Sequence, residues 1–104
     1  MNTDPEKLAN VLQVLATESR VRIVQLLREK AFCVNALAMR LQVTQSAVSQ
    51  HLRIMREAEL VVDERRGPRV HYRLNEATLA RWRAEIDALL APPDRTSGKP
   101  ENQP

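Results

Sequence analysis

The sequence predicts a mainly α-helical domain with a short β-hairpin: five helices, two of them closely coupled, and a hairpin before the last. Three observations predict it. Apolar residues recur at helical spacing from Leu8 to Met55. After Leu60 the period changes to two, around a Gly-Pro turn. Only three residues are aromatic (Phe, Trp and Tyr, one each), so Leu, Val, Ile, Ala and Met must build the core, which favours small, closely packed helices.

Asp4-Pro5 opens the first helix, with Pro at its first position and Glu6 in its first turn. Leu8, Val11, Leu12 and Leu15 form its apolar stripe. Thr17-Glu18-Ser19 interrupts, and Ser19 is the expected N-cap of a second helix that turns Ile23, Leu26 and Leu27 inward. Cys33 stands where a Ser or Thr cap would normally open a third helix, whose stripe is Val34, Leu37, Ala38 and Leu41. Thr44 caps a fourth helix over about Gln45 to Ala58. So few residues separate the third and fourth helices that they read as a helix-turn-helix pair. In "LVVDERRGPRVHYRL", Val70, Tyr72 and Leu74 alternate with Arg69, His71 and Arg73 about the turn Arg66-Gly67-Pro68, an antiparallel hairpin. A last helix spans about Glu76 to Leu90, with Leu79, Trp82, Ile86, Leu89 and Leu90 on one side. The tail "APPDRTSGKPENQP" is Pro-rich and polar. The expected organisation is one domain over 1–91 and a disordered tail over 92–104.

The 104 residues suffice for one domain and not two. The net charge of +3 is a mild basic excess that permits a nucleic-acid partner. One cysteine, Cys33, precludes an intrachain disulfide and fits a reducing compartment. "MNTDPEKLAN" lacks the charged-then-apolar pattern of a secretory signal. No apolar run approaches the roughly 18–20 residues that cross a bilayer, so a cytoplasmic protein without a membrane partner is expected. With two glycines there is no Gly-rich phosphate loop. No nucleophile–base–acid order is recognisable either, which argues against an enzyme.

The fourth helix carries the functional signal. At roughly 100° per residue, Val48, Leu52 and Met55 fall together, flanked by Ala47, His51 and Ala58. Gln45, Ser46, Ser49, Gln50, Arg53 and Arg56 lie opposite. An ordinary solvated face mixes Lys and Glu; this one is mostly small amides and hydroxyls. A DNA major groove admits one helix and presents donors and acceptors, for which Gln, Ser and Arg are suited partners. Gln45, Ser46, Ser49 and Gln50 are therefore expected to read base edges. Arg53 is assigned to bases or phosphate, and Thr44 to the cap and a phosphate. Arg65, Arg66, Arg69 and Arg73 make the hairpin tip basic, with no acidic residue between 65 and 73. Arg65, Arg66 and Arg69 are expected to form a wing on the backbone or in the minor groove, where Arg is favoured. The competing readings are a plain polar face and an edge hairpin guarded by charge. The combination of helix-turn-helix and basic hairpin is more specific than either part.

From about Leu8 to Leu90, and most specifically in "VTQSAVSQHLRIMREAELV" and "RRGPRVHYRL", the chain resembles the ArsR/SmtB family of bacterial winged-helix repressors. The resemblance implies a winged helix-turn-helix fold and a homodimer made by the first and last helices. It further implies double-stranded DNA as partner, a reading fourth helix, and release by an inducer. Two wide apolar terminal helices, which a lone small domain leaves exposed, independently support a dimer. Two recognition helices about one DNA turn apart, roughly 34 Å, then call for an inverted-repeat operator.

The metal sites familiar in that family are absent or incomplete. A Cys-x-Cys pair opening the third helix would need a second thiol, but the chain reads Cys33-Val34-Asn35. The last helix holds Glu85 and Asp87 and no His. Cys33, His51 and His71 are the remaining soft ligands, and zinc ordinarily takes three or four. No metal or other cofactor is therefore expected. His51 falls on the buried face, and His71 is expected on the exposed side of its strand. Cys33 is the candidate sensor thiol: a helix N-terminus and nearby Lys30 would lower its pKa. The opposing reading is a small buried residue in place of a cap. The alternatives left open are a metal- or thiol-responsive regulator using Cys33 and a winged-helix module that binds protein and does not read DNA.

Overall fold

The computed structural model describes residues 4–94. Its elements are α1 (Pro5–Val14), α2 (Glu18–Leu27), β1 (Phe32–Cys33), α3 (Val34–Leu41), α4 (Gln45–Glu57), β2 (Val61–Arg66), β3 (Arg69–Leu74) and α5 (Glu76–Leu90). Pro92, Pro93 and Asp94 are in no helix or strand; the rest of the expected disordered tail, 95–104, lies outside the described residues.

Each of four helices starts on a side-chain cap. Asp4 Oδ1 accepts the Glu6 N–H at 2.9 Å, and Thr44 Oγ1 the Ala47 N–H at 3.0 Å. Asn75 Oδ1 takes the Ala77 N–H at 3.1 Å. The cap of α2 is Thr17, whose Oγ1 accepts the Arg20 N–H at 3.1 Å, so Ser19 is displaced from the expected capping role into the first turn. Both hydroxyls suit the position; Thr17 holds it because its backbone is extended, as an N-cap requires.

The core joins all five helices to the sheet. Ile23, Leu37, Val48, Met55 and Leu60 are fully buried, and Leu8, Leu27, Leu41, Leu74 and Trp82 nearly so. Each such aliphatic side chain contributes roughly 1.5–3 kcal/mol by leaving water. On α4 the buried residues are Val48, Leu52 and Met55, as the helical period requires.

The sheet departs from a simple hairpin. It has three antiparallel strands in the order β1-β3-β2. The pairing is Phe32 with Tyr72 and Cys33 with His71 on one side of β3; on the other, Val61 meets Leu74 and Arg66 meets Arg69. The extra strand ends where α3 begins, so the hairpin is hydrogen-bonded to the entry of the helix-turn-helix. Between β2 and β3 stand only Gly67, at φ +62°, and Pro68. A positive φ first and a proline, fixed at negative φ, second is the type II′ pattern that suits strand twist.

Candidate nucleic-acid interface

α3 and α4 meet through a turn at Gln42, whose left-handed backbone (φ +61°) lets the Val43 N–H close on Ala38 O at 3.1 Å. Thr44 then starts α4. Gln45, Ser46, Ser49, Gln50 and Arg53 are all exposed, on the side away from Val48, Leu52 and Met55. Gln45 is also held: its Nε2 donates to Asn35 Oδ1 at 3.0 Å, a cross-link to the first turn of α3. Arg56 turns toward the sheet, 3.4 Å from Asp63.

The wing arginines are not equivalent. Strand alternation puts Arg65 on one face and Arg66, Arg69 and Arg73 on the other. Glu64 shares the second face and engages two of them, with Oε2 accepting from Arg66 at 3.0 Å and Oε1 from Arg73 at 3.0 Å. Arg73 first, and Arg66 with it, hold the Glu64 carboxyl below its usual pKa. The stretch 65–73 is free of acids in sequence, but Glu64 lies just outside it and partly neutralises the tip. Arg65 has no hydrogen-bond or ion-pair partner among the described residues.

Arg69 reaches the candidate thiol, its Nη1 lying 3.8 Å from Cys33 Sγ. The Ala36 N–H and the Arg69 guanidinium lower the thiol's pKa against the opposing effect of partial burial. Lys30, the cation expected beside it, instead sits over the Phe32 ring, 5.3 Å from its centre, so Arg69 takes that place. Sequence distance hid this contact, and the β1–β3 pairing creates it.

The histidines also differ from expectation in one case. His51 packs against Arg20, as a buried-face residue should. His71 pairs with Cys33 of β1 and is half-buried rather than exposed, and its Nδ1 is buried without a hydrogen-bond partner among the described residues. No group of three or more His, Cys, Asp or Glu among the described residues is placed to hold a metal ion. Nor is any described helix long and apolar enough to cross a membrane.

A helix-turn-helix whose second helix is exposed along one polar face, with a basic hairpin docked at its entry, defines the winged helix-turn-helix class. Residues 17–62 match the family model for bacterial regulatory proteins of the arsR family. The HTH-type transcriptional repressor SmtB of Mycobacterium tuberculosis is 46% identical over 70 residues, which are 67% of this chain and 52% of that protein. This chain thus matches about half of that relative's length. A crystal structure described as a possible transcriptional regulator for arsenical resistance is 41% identical, with a TM-score of 0.72 over 78% of this chain and 84% of that one. A solution structure of a homodimeric winged helix-turn-helix DNA-binding domain from Mycobacterium bovis is 27% identical, with a TM-score of 0.67 over 81% of this chain and 78% of that one. The chain belongs to the arsR family of bacterial regulatory proteins.

Proposed function

We propose that this protein is a DNA-binding transcriptional repressor that works as a homodimer, laying α4 of each subunit in a major groove and the wing on the flanking backbone or minor groove. The observation that carries the reading is the exposed row of Gln45, Ser46, Ser49, Gln50 and Arg53, on a helix whose other face is locked into the core. Gln and Ser supply base-edge partners there, and Thr44 at the cap brings the helix N-terminus toward phosphate. In the wing, Arg65 and Arg69 have more charge to offer than Arg66, which Glu64 already engages. Exposed Leu12 on α1 and exposed Leu89 and Leu90 on α5 support a dimer through those helices.

The test is a fluorescence-anisotropy titration with DNA from the protein's own promoter region, with competitor DNA, at two salt concentrations. Competitor-resistant binding that falls steeply with salt is expected. Ser49→Ala and Gln50→Ala should lose sequence discrimination, by about 1–3 kcal/mol for a bidentate contact. Arg69→Ala should weaken all sequences alike and lower the salt slope by about one. Weak, sequence-blind binding under every condition would favour a protein-interaction module.

The contact between Cys33 Sγ and Arg69 favours one refinement, in which Cys33 reports oxidation to the wing. A sulfenate formed by peroxide would compete with phosphate for Arg69. Binding should then fall after mild peroxide in the wild type and persist in Cys33→Ser. Equal loss in both removes Cys33 from the mechanism.

A further inference from the structure

Arg20 joins three elements through one side chain. It stands in the first turn of α2, and its guanidinium reaches outward in three directions. Nε donates to Val14 O at 2.6 Å and Nη2 to Gln13 O at 3.3 Å, two carbonyls at the end of α1. Nη1 lies 3.1 Å from His51 Nδ1 in the middle of α4. A guanidinium only donates, so His51 Nδ1 is the acceptor and the imidazole proton sits on Nε2. This contact exists only while His51 is neutral. A proton on Nδ1 would replace the acceptor with a donor and set a second positive charge against Arg20.

We propose that Arg20 and His51 form an acid-sensitive tie that positions α4 relative to α1, and that protonating His51 loosens the tie and weakens DNA binding. Arg20 and His51 are positioning residues, since they act through the exposed face of α4. His51 directly follows Gln50, so releasing its ring lets the reading face shift against α1, the helix assigned to the dimer. The inference rests on the repressor reading.

The surroundings leave Arg20 as the charge that matters to His51. One turn away on α4 are Ala47, Val48, Ile54 and Met55, none of which titrates. From α1 come the two carbonyls that Arg20 occupies. On α3 the charged residue is Arg40, which lies over the Phe32 ring. On β2, Asp63 is engaged by Arg56, Glu64 by Arg66 and Arg73, and Arg65 and Arg66 stand at the tip. Partial burial first, and the Arg20 charge second, push the His51 pKa below its ordinary value. The sign follows. The folded protein resists a proton that the unfolded chain accepts, so the tie is intact above about pH 6.5 and is lost as pH falls through the lower folded value.

The direction is diagnostic. Added positive charge on a DNA-facing surface strengthens phosphate binding, whereas the tie predicts weakening in acid. A duplex selected by the protein from a random-sequence pool serves as probe, and anisotropy gives the ratio of affinities at pH 7.5 and 5.5 at fixed ionic strength. The wild type should bind the duplex severalfold more weakly at the lower pH, and more weakly still as the pH falls further. His51→Gln, whose amide accepts from Arg20 without titrating, should show a flat ratio, and His71→Gln should keep the wild-type loss. An equal ratio in His51→Gln and wild type, or no acid loss in the wild type, overturns the proposal. An NMR titration of the two imidazoles needs neither variant nor DNA. The His51 midpoint should fall below the ordinary histidine value, with the Val14 and Leu15 amide signals moving at the same midpoint. A His51 midpoint at or above the ordinary value defeats the tie. Failure to select any duplex would count instead against the repressor reading, leaving the NMR result to judge the tie.

Discussion

Glu59 shows how much a single residue position can conflict with its local geometry. Its φ is +63°, a left-handed conformation disfavoured for any residue with a Cβ. The fold imposes it because α4 must end abruptly: the Leu60 N–H turns back to Met55 O at 2.9 Å, and Leu60 is fully buried. Glycine suits such a helix end, so Glu59→Gly should raise stability by about 0.5–1 kcal/mol, measured by urea unfolding. A loss of stability would mean the Glu side chain contributes more than its backbone costs. Some of this residue-scale detail was legible in the sequence and some was not. Thr44 announced itself as a cap because it directly precedes a helical stripe, and Asp4-Pro5 marked the start of α1. Thr17 did not, since Ser19 has the same chemistry and only the backbone separates them. Likewise, nothing local could reveal that the partner of His51 lies on α2.

At the scale of elements, α4 and α5 were legible because long apolar periods specify long helices. β1 was not, since two residues carry no period and its partner lies about forty positions away. That omission hid two neighbours: His71 pairs with Cys33 across β1 and β3, and Cys33 meets Arg69 because β1 brings the strands together. The wing turn was legible, as Gly-Pro admits few alternatives. Its stability depends on the left-handed Gly67, where an added Cβ meets no atom within 4 Å. Gly67→Ala should therefore strain the backbone without a clash, costing about 1 kcal/mol and loosening the tip while the core stays intact. Hydrogen exchange should quicken in β2 and β3 near the turn, with little change in α3. Unchanged exchange at the tip would show that pairing with β1 and β2 holds the wing without help from its turn.

The whole molecule leaves apolar surface at its two terminal helices. Leu12 is 40% exposed, Leu89 55% and Leu90 73%. Beside them a groove of about 420 Å³ runs between α5 and the core, lined by Leu15, Leu79, Trp82 and Ile86 among others. In the proposed dimer, replacing Leu12 and Leu89 together by Glu should shift sedimentation from twice the 11.9 kDa chain mass to the single chain. It should also remove the concentration dependence of thermal unfolding. An unchanged sedimenting mass would place the dimer contact elsewhere. The wide apolar faces of these helices were legible in composition, whereas the continuity of the groove required the packed fold. One junction extends this view across the molecule. Leu60 gives its N–H to the end of α4 and takes the Asn75 N–H on its carbonyl at 2.9 Å, just ahead of α5. The two amides therefore bracket a single buried peptide segment, and neither can meet solvent without disturbing the other. The last turn of α4 and the first turn of α5 should open as one cooperative unit, so that a force unravelling the chain from its C-terminal helix would reach α4 before it reached α3.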